Sequence, residues 1–399
     1  MIPPKRIEIG WVDLGRAFVG GLLPRSRARA AAAAEGTLWG PEESLAVLSV
    51  RSGFDLLLQA LRLPAGSEVL VSAITISDMP RIVRKHGLIP VPVDLDMESL
   101  AVSRETLEAA ITPRTKAVLV AHVFGSRMPL DHLAEVTRRH GLLLIEDCAQ
   151  AYDGAYLGSD TADVVMFSFG PIKSQTALGG GLFRVRDPDL LAEMRRIHES
   201  WPTQPRGEYL RRVLKYMIVV AMLTRPAYGL FTWLMRGNHQ EVLKSAVRGF
   251  SGPEFFRRIR RRPSAALLAT MSRRLGRPDL TPILQRRSQG DTLLSELSAV
   301  FIPGRRATHH SFWVFPVCVS DPESAMERIR LLGMDPSRGT TSLTMVEAPQ
   351  GHGEAEEATR VMKDVLFLPL GPGLHSGLMR KLAAAVGTSS REPEDTRHD

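Results

Sequence analysis

Cysteine is scarce in this chain of 399 residues, and no metal-binding spacing is present. Cys148 and Cys318 are the only two cysteines, which excludes a disulfide framework and fits a reducing cytoplasm. Neither a CxxC nor an HExxH spacing occurs, so we predict no metal site. Cys148 has no accompanying His and Asn arrangement, and an inert buried thiol is favoured over a nucleophile.

Long apolar runs are also missing. The N-terminus, MIPPKRIEIGWVD, has no apolar core of the kind found in secretory signals. The most apolar stretch is residues 208–237, but its run at 216–223 has only eight residues before Arg225 and Pro226 interrupt it. A spanning helix needs about 20 apolar residues, so neither half of this stretch is predicted to cross a bilayer alone.

Residues 208–237 leave three interpretations open. Arginines flank both halves, and four aromatic side chains suit an interface: Tyr216, Tyr228, Phe231 and Trp233. The stretch is a helical hairpin that lies on a membrane, a roof over an active site for a lipid-linked or hydrophobic substrate, or a helical pair that packs in a dimer.

The net charge of +8 does not predict nucleic-acid binding. Arginines concentrate between residues 195 and 306 without interleaved aromatic residues or a nucleic-acid motif. A phospholipid surface or an anionic substrate explains the positive charge equally well.

Residues 142–181 carry the strongest chemical signal. Two apolar runs, 142–145 and 164–169, are typical of buried parallel strands, and the first is followed by Asp147. A turn after the second run delivers Lys173, with Ser168 and a Gly179–Gly181 turn beside it. Because the carboxyl ends of parallel strands meet at one edge of a sheet, these groups are predicted to share a pocket. A lysine, an acid and phosphate donors are what pyridoxal phosphate (PLP) requires.

The order of these motifs resembles one enzyme family. EDCAQ, then FSF, then a lysine five residues after Ser168, then GGG is similar to the DegT/DnrJ/EryC1/StrS sugar aminotransferases, closely over residues 38–186. The resemblance implies the α/β fold of type I PLP-dependent transferases. That fold has a mainly parallel sheet in the large domain and a smaller α+β C-terminal domain.

The resemblance also implies roles for residues of the central stretch. Asp147 would pair with the pyridine nitrogen, Gln150 would lie near the phenolic oxygen, and Ser168 would contact the phosphate. Lys173 would be the catalytic residue, which binds the cofactor covalently and then moves protons. Relatives that dehydrate sugars have His in place of this lysine.

Further cofactor contacts are implied outside the central stretch. Ser52 and Gly53 are expected just before a helix, where they are either an ordinary N-cap or the site of free amides that could hold the phosphate. At Phe54 only the backbone could contribute. Ile76 stands where the family has an aromatic residue that stacks on the ring. Ser251 is nearest to the position from which the family reaches the phosphate of the neighbouring subunit.

Alternation of β and α patterns suggests five parts in the chain. They are an N-terminal arm (1–40), a large PLP-binding domain (41–207), an apolar helical insertion with a basic segment (208–262), a linking helix with a small C-terminal domain (263–387), and a disordered tail (388–399). Within the small domain, the segment HHSFWVFPVCV is a strand candidate, and its His309 and His310 are expected at an exposed strand edge rather than in the cleft.

These observations predict a PLP-dependent aminotransferase that serves sugar or polysaccharide biosynthesis. It would move an amino group from a donor such as glutamate to a keto group of a nucleotide sugar or of a related carbohydrate or lipid-linked ketone. Another PLP reaction, or a non-catalytic PLP-binding partner at the membrane, is the alternative. We expect a cytoplasmic homodimer. The alternative location is the inner face of the membrane, which the protein would contact through residues 208–237.

Overall fold

The computed structural model describes residues 1–235, 238–247, 250, 252–339 and 343–387. Ser251 and the predicted disordered tail, 388–399, lie outside the described residues.

The secondary structure alternates strands and helices over the first half of the chain and is mostly helical between residues 188 and 296. The helices are α1 Trp11–Leu22, α2 Arg27–Glu35, α3 Val50–Leu61, α4 Asp78–Lys85, α5 Arg104–Ala110, α6 Asp131–Arg139, α7 Pro188–Ser200, α8 Arg206–Met222, α9 Arg225–Met235, α10 His239–Val247, α11 Phe255–Ile259, α12 Ala265–Gly276, α13 Thr281–Glu296, α14 Pro322–Leu331, α15 Glu356–Asp364 and α16 Ser376–Gly387. The strands are β1 Ser44–Val47, β2 Glu68–Ser72, β3 Ile74–Thr75, β4 Ile89–Val93, β5 Thr115–Ala121, β6 Ser126–Arg127, β7 Leu143–Asp147, β8 Val164–Ser168, β9 Gly181–Val185, β10 His309–His310, β11 Phe315–Cys318, β12 Ser337–Arg338, β13 Thr344–Met345 and β14 Val365–Leu368.

A seven-stranded sheet organises the larger part of the molecule. Its strand order is β1-β9-β8-β7-β5-β2-β4. The neighbouring pairs from β8 to β4 are parallel, and β9 runs antiparallel to both β8 and β1. The predicted mainly parallel α/β sheet is therefore confirmed.

Both faces of this sheet are buried, which explains the continuous apolar runs. On β2, Leu70 belongs to one hydrophobic core while Val69 and Val71 belong to the other. On β7, Leu144 and Ile145 divide in the same way. Because successive side chains of a strand point to opposite faces, a sheet covered by helices on both sides needs an apolar residue at nearly every position.

A three-stranded antiparallel sheet, β11-β14-β12, lies in the C-terminal part. Its core includes apolar side chains of α13, α14 and α16. The segment HHSFWVFPVCV, predicted as one strand, is instead divided into β10 and β11. The break falls at Phe312, whose φ is 46°, and the Ser311 amide bonds to Gly125 rather than to a neighbouring strand of this sheet. The predicted domain boundaries stay predictions.

Histidines on β10 were expected at an exposed strand edge, and that expectation is wrong. His310 is buried, and burial lowers its pKa to about 3. The ring stacks on Phe312 at 4.3 Å between centroids, and its Nδ1 accepts from the Phe312 amide. His309 lies 3.3 Å from a carboxylate oxygen of Asp153.

The apolar stretch after residue 207 folds into α8, α9 and α10. Two of its aromatic side chains, Tyr216 and Tyr228, are buried rather than presented to an interface as their sequence context suggested. The Tyr228 hydroxyl donates to the Asp335 carboxylate at 2.6 Å. His239 on α10 also contacts Asp335, at 2.9 Å, so the insertion is held on the C-terminal part of the molecule.

No single helix of the described residues is long and apolar enough to cross a membrane. Helices α8 and α9 meet the length and composition criterion only when taken together, and they are bent by 90° relative to each other.

Replacement of Asp335 by Asn should destabilise the fold, because this fully buried carboxylate receives bonds from Tyr228, His239, Gln240 and Arg330. We expect a loss of about 3 kcal/mol in the free energy of unfolding, measured by urea denaturation. The control is Asp160→Asn, whose side chain is 91% exposed, with a loss of about 1 kcal/mol or less. Equal losses in both variants would contradict the role given to Asp335.

Candidate active site

The candidate site lies at the carboxyl edge of the large sheet, where β7 and β8 end side by side. Asp147 is the last residue of β7 and Ser168 the last residue of β8. A tight turn follows β8, in which the Lys173 amide donates to the Gly170 carbonyl at 3.0 Å. A side chain at Gly170 would touch both Ser168 Oγ (3.7 Å) and Lys173 Cγ (3.9 Å), so these two side chains converge.

Lys173 and Asp147 interact electrostatically, and both are desolvated by the surrounding protein. Desolvation lowers the pKa of the Lys173 amine to about 8, against an opposing effect of the Asp147 charge. Asp147 is buried, and burial raises the pKa of its carboxyl above the ordinary value while the Ala149 amide and Lys173 oppose that rise. The structure thus places the predicted acid and the predicted lysine close enough to interact.

Arg51 adds a third charge to this pair. Its cation lowers the pKa of both Lys173 and Asp147. The guanidinium is anchored by the carboxylate of Asp78 at the start of α4. Arg51 stands directly before Ser52, and no pattern in the sequence distinguishes it from a surface arginine.

Helix α3 begins earlier than the sequence indicated. Ser49 is its N-cap and accepts from the Ser52 amide at 3.2 Å, so Ser52 and Gly53 lie in the first turn and not before it. Gly53 is required by packing, because a Cβ there would come 2.2 Å from the Phe183 ring on β9. The Phe54 side chain is fully buried in the core and offers no group to a ligand, and the Gly53 amide donates to the Ser49 carbonyl at 3.0 Å.

Two other predicted residues lie on neighbouring loops. Gln150 follows β7, and its Oε1 accepts from the Phe124 amide at 2.9 Å, which fixes the loop after β5. Ile76 follows β3, is partly buried and packs against both hydrophobic cores. The assignment of Ser52, Gly53, Phe54, Ile76, Gln150 and Ser168 to the cofactor stays a prediction, as does that of Ser251.

The glycine turn after Lys173 packs against α12. Gly180 has a φ of 90°, and a Cβ there would lie 2.2 Å from the Met271 sulfur. Only glycine meets both the backbone requirement and the close approach. This contact ties the lysine-bearing loop to the helix that carries Arg273 and Arg274.

A buried cluster of polar side chains surrounds Glu146, the residue before Asp147 on β7. Glu146 accepts from His122 Nε2 (2.7 Å), from the Tyr156 hydroxyl (2.5 Å) and from the Ser159 amide (2.7 Å). Burial opposes ionisation of Glu146, but the hydrogen bonds from His122, Tyr156 and Ser159 together outweigh it and hold the pKa of Glu146 at about 2. The Met128 amide donates to His122 Nδ1, so Nε2 carries the proton.

This cluster has the spacing of a metal site but not the chemistry of one. Ligand atoms of His122, Glu146 and Cys148 lie within 4.8 Å of one another. Glu146 and His122 already bond to each other, and burial raises the pKa of the Cys148 thiol well above its ordinary value. A protonated thiol is a poor metal ligand. The group therefore orients the end of β7, and Cys148 is the buried thiol that the sequence suggested.

Trp313 contacts the candidate lysine and was missed in the sequence. Its ring centroid is 4.2 Å from Lys173 Nζ and 3.0 Å from Lys5 Nζ. Lys5 also donates to the Trp313 carbonyl at 3.1 Å, and the indole Nε1 donates to the Ile172 carbonyl at 3.0 Å. Trp313 stands in the segment predicted as a strand, and nothing in its sequence context distinguished it from a core aromatic residue.

A cavity of about 1020 Å³ is lined by the N-terminal segment, by parts of α12 and α13, and by Trp313. Its lining includes six arginines and only three carboxylates, so its field is positive. Arg286 is buried in this lining, and one of its nitrogens donates to Ser174 Oγ at 3.2 Å. Since Ser174 follows Lys173, the cavity reaches the neighbour of the candidate amine.

The residues fit a PLP cofactor. A desolvated amine, a buried carboxylate and the N-terminus of α3 are gathered at one edge of a mainly parallel sheet, which is the arrangement of type I PLP-dependent transferases. Residues 30–213 match the model of the DegT/DnrJ/EryC1/StrS aminotransferase family. The family is PLP-dependent, and the chain is a PLP-dependent aminotransferase.

Solved structures share the fold along nearly the whole chain. The aminotransferase TlmJ from Streptoalloteichus hindustanus is similar with a TM-score of 0.69 at 20% identity, over 97% of this chain and 98% of that chain. The sugar aminotransferase CalS13 from Micromonospora echinospora gives 0.65 at 21% identity, over 97% and 100%. NtdA from Bacillus subtilis, solved with bound cofactor PMP, gives 0.65 at 17% identity, over 94% and 80%.

The Lys173 amine should titrate near pH 8 in the cofactor-free protein, and its neighbours should move that midpoint in opposite directions. Asp147→Asn removes an anion that stabilises the ammonium form, so the pKa falls further. Arg51→Gln removes a cation, so the pKa rises. The measurement is the pH dependence of the rate at which added PLP forms its lysine adduct, followed by absorbance.

Lys116→Gln, at an exposed position of β5, is the matched control and should leave the midpoint unchanged. Shifts of the same sign in Asp147→Asn and Arg51→Gln would show that these two charges do not act directly on Lys173.

Proposed function

We propose that this chain transfers an amino group from an amino acid such as glutamate to a keto group of a nucleotide sugar, or of a related carbohydrate or lipid-linked ketone. The observation that carries the proposal is the desolvated Lys173 amine, with its pKa of about 8, beside the buried Asp147. Transamination needs an amine that is both a nucleophile and a proton carrier near neutral pH.

The residues divide the work between binding and proton transfer. PLP, when bound, supplies a reactive carbonyl carbon conjugated to a ring that withdraws electrons. Asp147 would hold the ring nitrogen, and the first turn of α3 with Ser168 would hold the phosphate. Lys173 would bind the carbonyl carbon and, once displaced by the donor, carry a proton between cofactor and substrate at its Nζ. Trp313 shields that amine from water on one side.

The cavity beside Trp313 supports an acceptor that carries negative charge. Arg274 and Arg286 are both buried in its lining, and the Arg286 guanidinium links Glu8 to Ser174. A buried Arg at a binding site favours phosphate or carboxylate groups through paired hydrogen bonds. The nucleotide diphosphate of an activated sugar and the phosphate of a lipid-linked sugar both meet this requirement.

We further propose a homodimer in the cytoplasm. The support is the resemblance to the DegT/DnrJ/EryC1/StrS family, which implies a phosphate contact from the neighbouring subunit with Ser251 as the candidate. The two free cysteines fit a reducing compartment.

Purified protein mixed with PLP should show the absorbance of a lysine adduct, and glutamate should convert it to the pyridoxamine form. Lys173→Ala removes the amine, so we expect no lysine adduct and a loss of turnover of at least about 1000-fold. Lys116→Ala should behave as the parent protein. An unchanged spectrum after addition of glutamate and other amino acids would favour the non-catalytic alternative.

Arg286→Gln should weaken binding of the keto acceptor without affecting the reaction with the amino donor. The variant loses one charged donor in the cavity, so the KM for an anionic keto acceptor should rise by about 10-fold or more. The rate at which glutamate reduces the cofactor absorbance should stay within about twofold, which also shows that the fold is intact. Arg306→Gln is the control, since that side chain is 77% exposed and is not part of the cavity lining. Equal losses in both half-reactions would contradict an acceptor role.

A further inference from the structure

Three neighbouring helices leave large apolar side chains in solvent. Val12 on α1 is 66% exposed, Ile218 on α8 is 69% exposed and Trp233 on α9 is 73% exposed. Large exposed apolar side chains gathered on adjacent helices mark an interaction site. We call it the apolar face, and it consists of Trp11, Val12, Val19, Leu22, Leu23, Leu214, Ile218, Leu230, Trp233, Leu234 and Met235.

The apolar face is continuous across α1 and α8. Gly21 near the end of α1 lies against Leu210 near the start of α8, where a Cβ would approach to 2.6 Å. At the opposite ends of the helices, Trp11 and Leu223 both line the 1020 Å³ cavity. The two helices therefore run antiparallel, and the cavity opens at the edge of the apolar face.

The inner sides of these helices are firmly packed. Tyr209 and Tyr228 are fully buried, and Tyr209 donates to the Ala177 carbonyl at 3.0 Å. Asp13 on α1 pairs with Arg274 at 2.7 Å, and Glu208 on α8 pairs with Arg261 at 2.8 Å. The outer apolar side chains are thus held in place by a rigid base, and the acidic side chains of these helices are engaged in ion pairs.

Positive charge accompanies the apolar face. Arg16 on α1, Arg211 and Lys215 on α8, and Arg225 at the start of α9 are exposed. Leu214 and Ile218 occupy the same side of α8 as Arg211 and Lys215, because these positions are three or four residues apart. Exposed aliphatic and Trp side chains among basic residues are the pattern of helices that bind anionic lipid surfaces.

We propose that the apolar face docks on an anionic lipid bilayer, with α1, α8 and α9 lying along the interface and the mouth of the cavity beside the lipid. The 90° bend between α8 and α9 fits helices that lie on a surface rather than cross it. A second copy of the chain is disfavoured as the occupant, because a two-fold interface would bring Arg211 and Lys215 of one copy against the same patch of the other.

Docking on lipid rests on the proposed function only in the identity of the acceptor. If the acceptor is a lipid-linked sugar, docking places its phosphate at the entrance of the arginine-lined cavity. Binding to lipid requires only the outer side of the three helices and makes no use of Lys173 or Asp147.

The test is flotation of the full-length chain with vesicles of phosphatidylcholine alone and of phosphatidylcholine with about 30% phosphatidylglycerol. We expect flotation with the mixed vesicles and at least about 10-fold weaker partitioning for Ile218→Ser with Trp233→Ser, since apolar burial is lost. Arg211→Glu with Lys215→Glu should lose binding to the mixed vesicles by a similar factor.

Matched controls come from other surfaces of the molecule. Leu331→Ser, at an 88% exposed position of α14, and Lys116→Glu on β5 should float as the parent protein does. The glutamate half-reaction should proceed normally in all these variants, and Lys173→Ala should float normally, so failure of docking and failure of the proposed function are distinguishable.

Three outcomes would overturn the docking proposal. The first is a parent protein that stays at the bottom of the gradient with the mixed vesicles. The second is equal flotation of the Ile218→Ser, Trp233→Ser variant. The third is sedimentation velocity in which that variant converts a dimer into monomers while no vesicle binding is seen, which would assign the face to a second copy.

Discussion

The site depends on an amine and a carboxylate that are kept close together away from water. Desolvation works against both charges, and each charge partly offsets the cost for the other. The sheet makes this possible, since β7 and β8 are adjacent and parallel and deliver Asp147 and the Lys173 turn to the same edge. Arg51 then shifts the balance towards the neutral amine.

Trp313 extends this arrangement to parts of the chain that are far apart in sequence. Its ring lies against Lys173 of the large sheet and against Lys5 of the N-terminal segment, and the residue itself comes just before β11 of the C-terminal part. Burial lowers the pKa of Lys5 well below its ordinary value, with Arg286 and Lys173 adding to the effect. Trp313 and Lys5 thus pack together beside the candidate lysine.

The sequence predicted the parts of the site that follow from local order and failed where distant segments meet. Asp147 and Lys173 could be placed because apolar runs mark buried strands and parallel strands end at one edge. The start of α3 was misplaced because Ser49 competes with Ser52 as the cap. Arg51, Trp313 and Arg286 were missed, since their contacts with the lysine or its neighbour cross the fold, by up to 141 residues for Trp313 and Ile172. Periodicity carries no record of such contacts.

The insertion shows that an apolar segment must be interpreted by which face of each helix carries the apolar residues, because composition alone does not separate buried from exposed positions. Tyr209, Tyr216 and Tyr228 face inward and stabilise the molecule, whereas Ile218 and Trp233 face outward. Leu223 at the end of α8 lines the cavity. One helix thus contributes to the core, to the cavity wall and to an exposed surface, so a ligand bound outside and a substrate bound inside would contact the same rigid element. Since α8 is anchored near Lys173 through the Ala177 carbonyl, that element also borders the loop on which the chemistry depends.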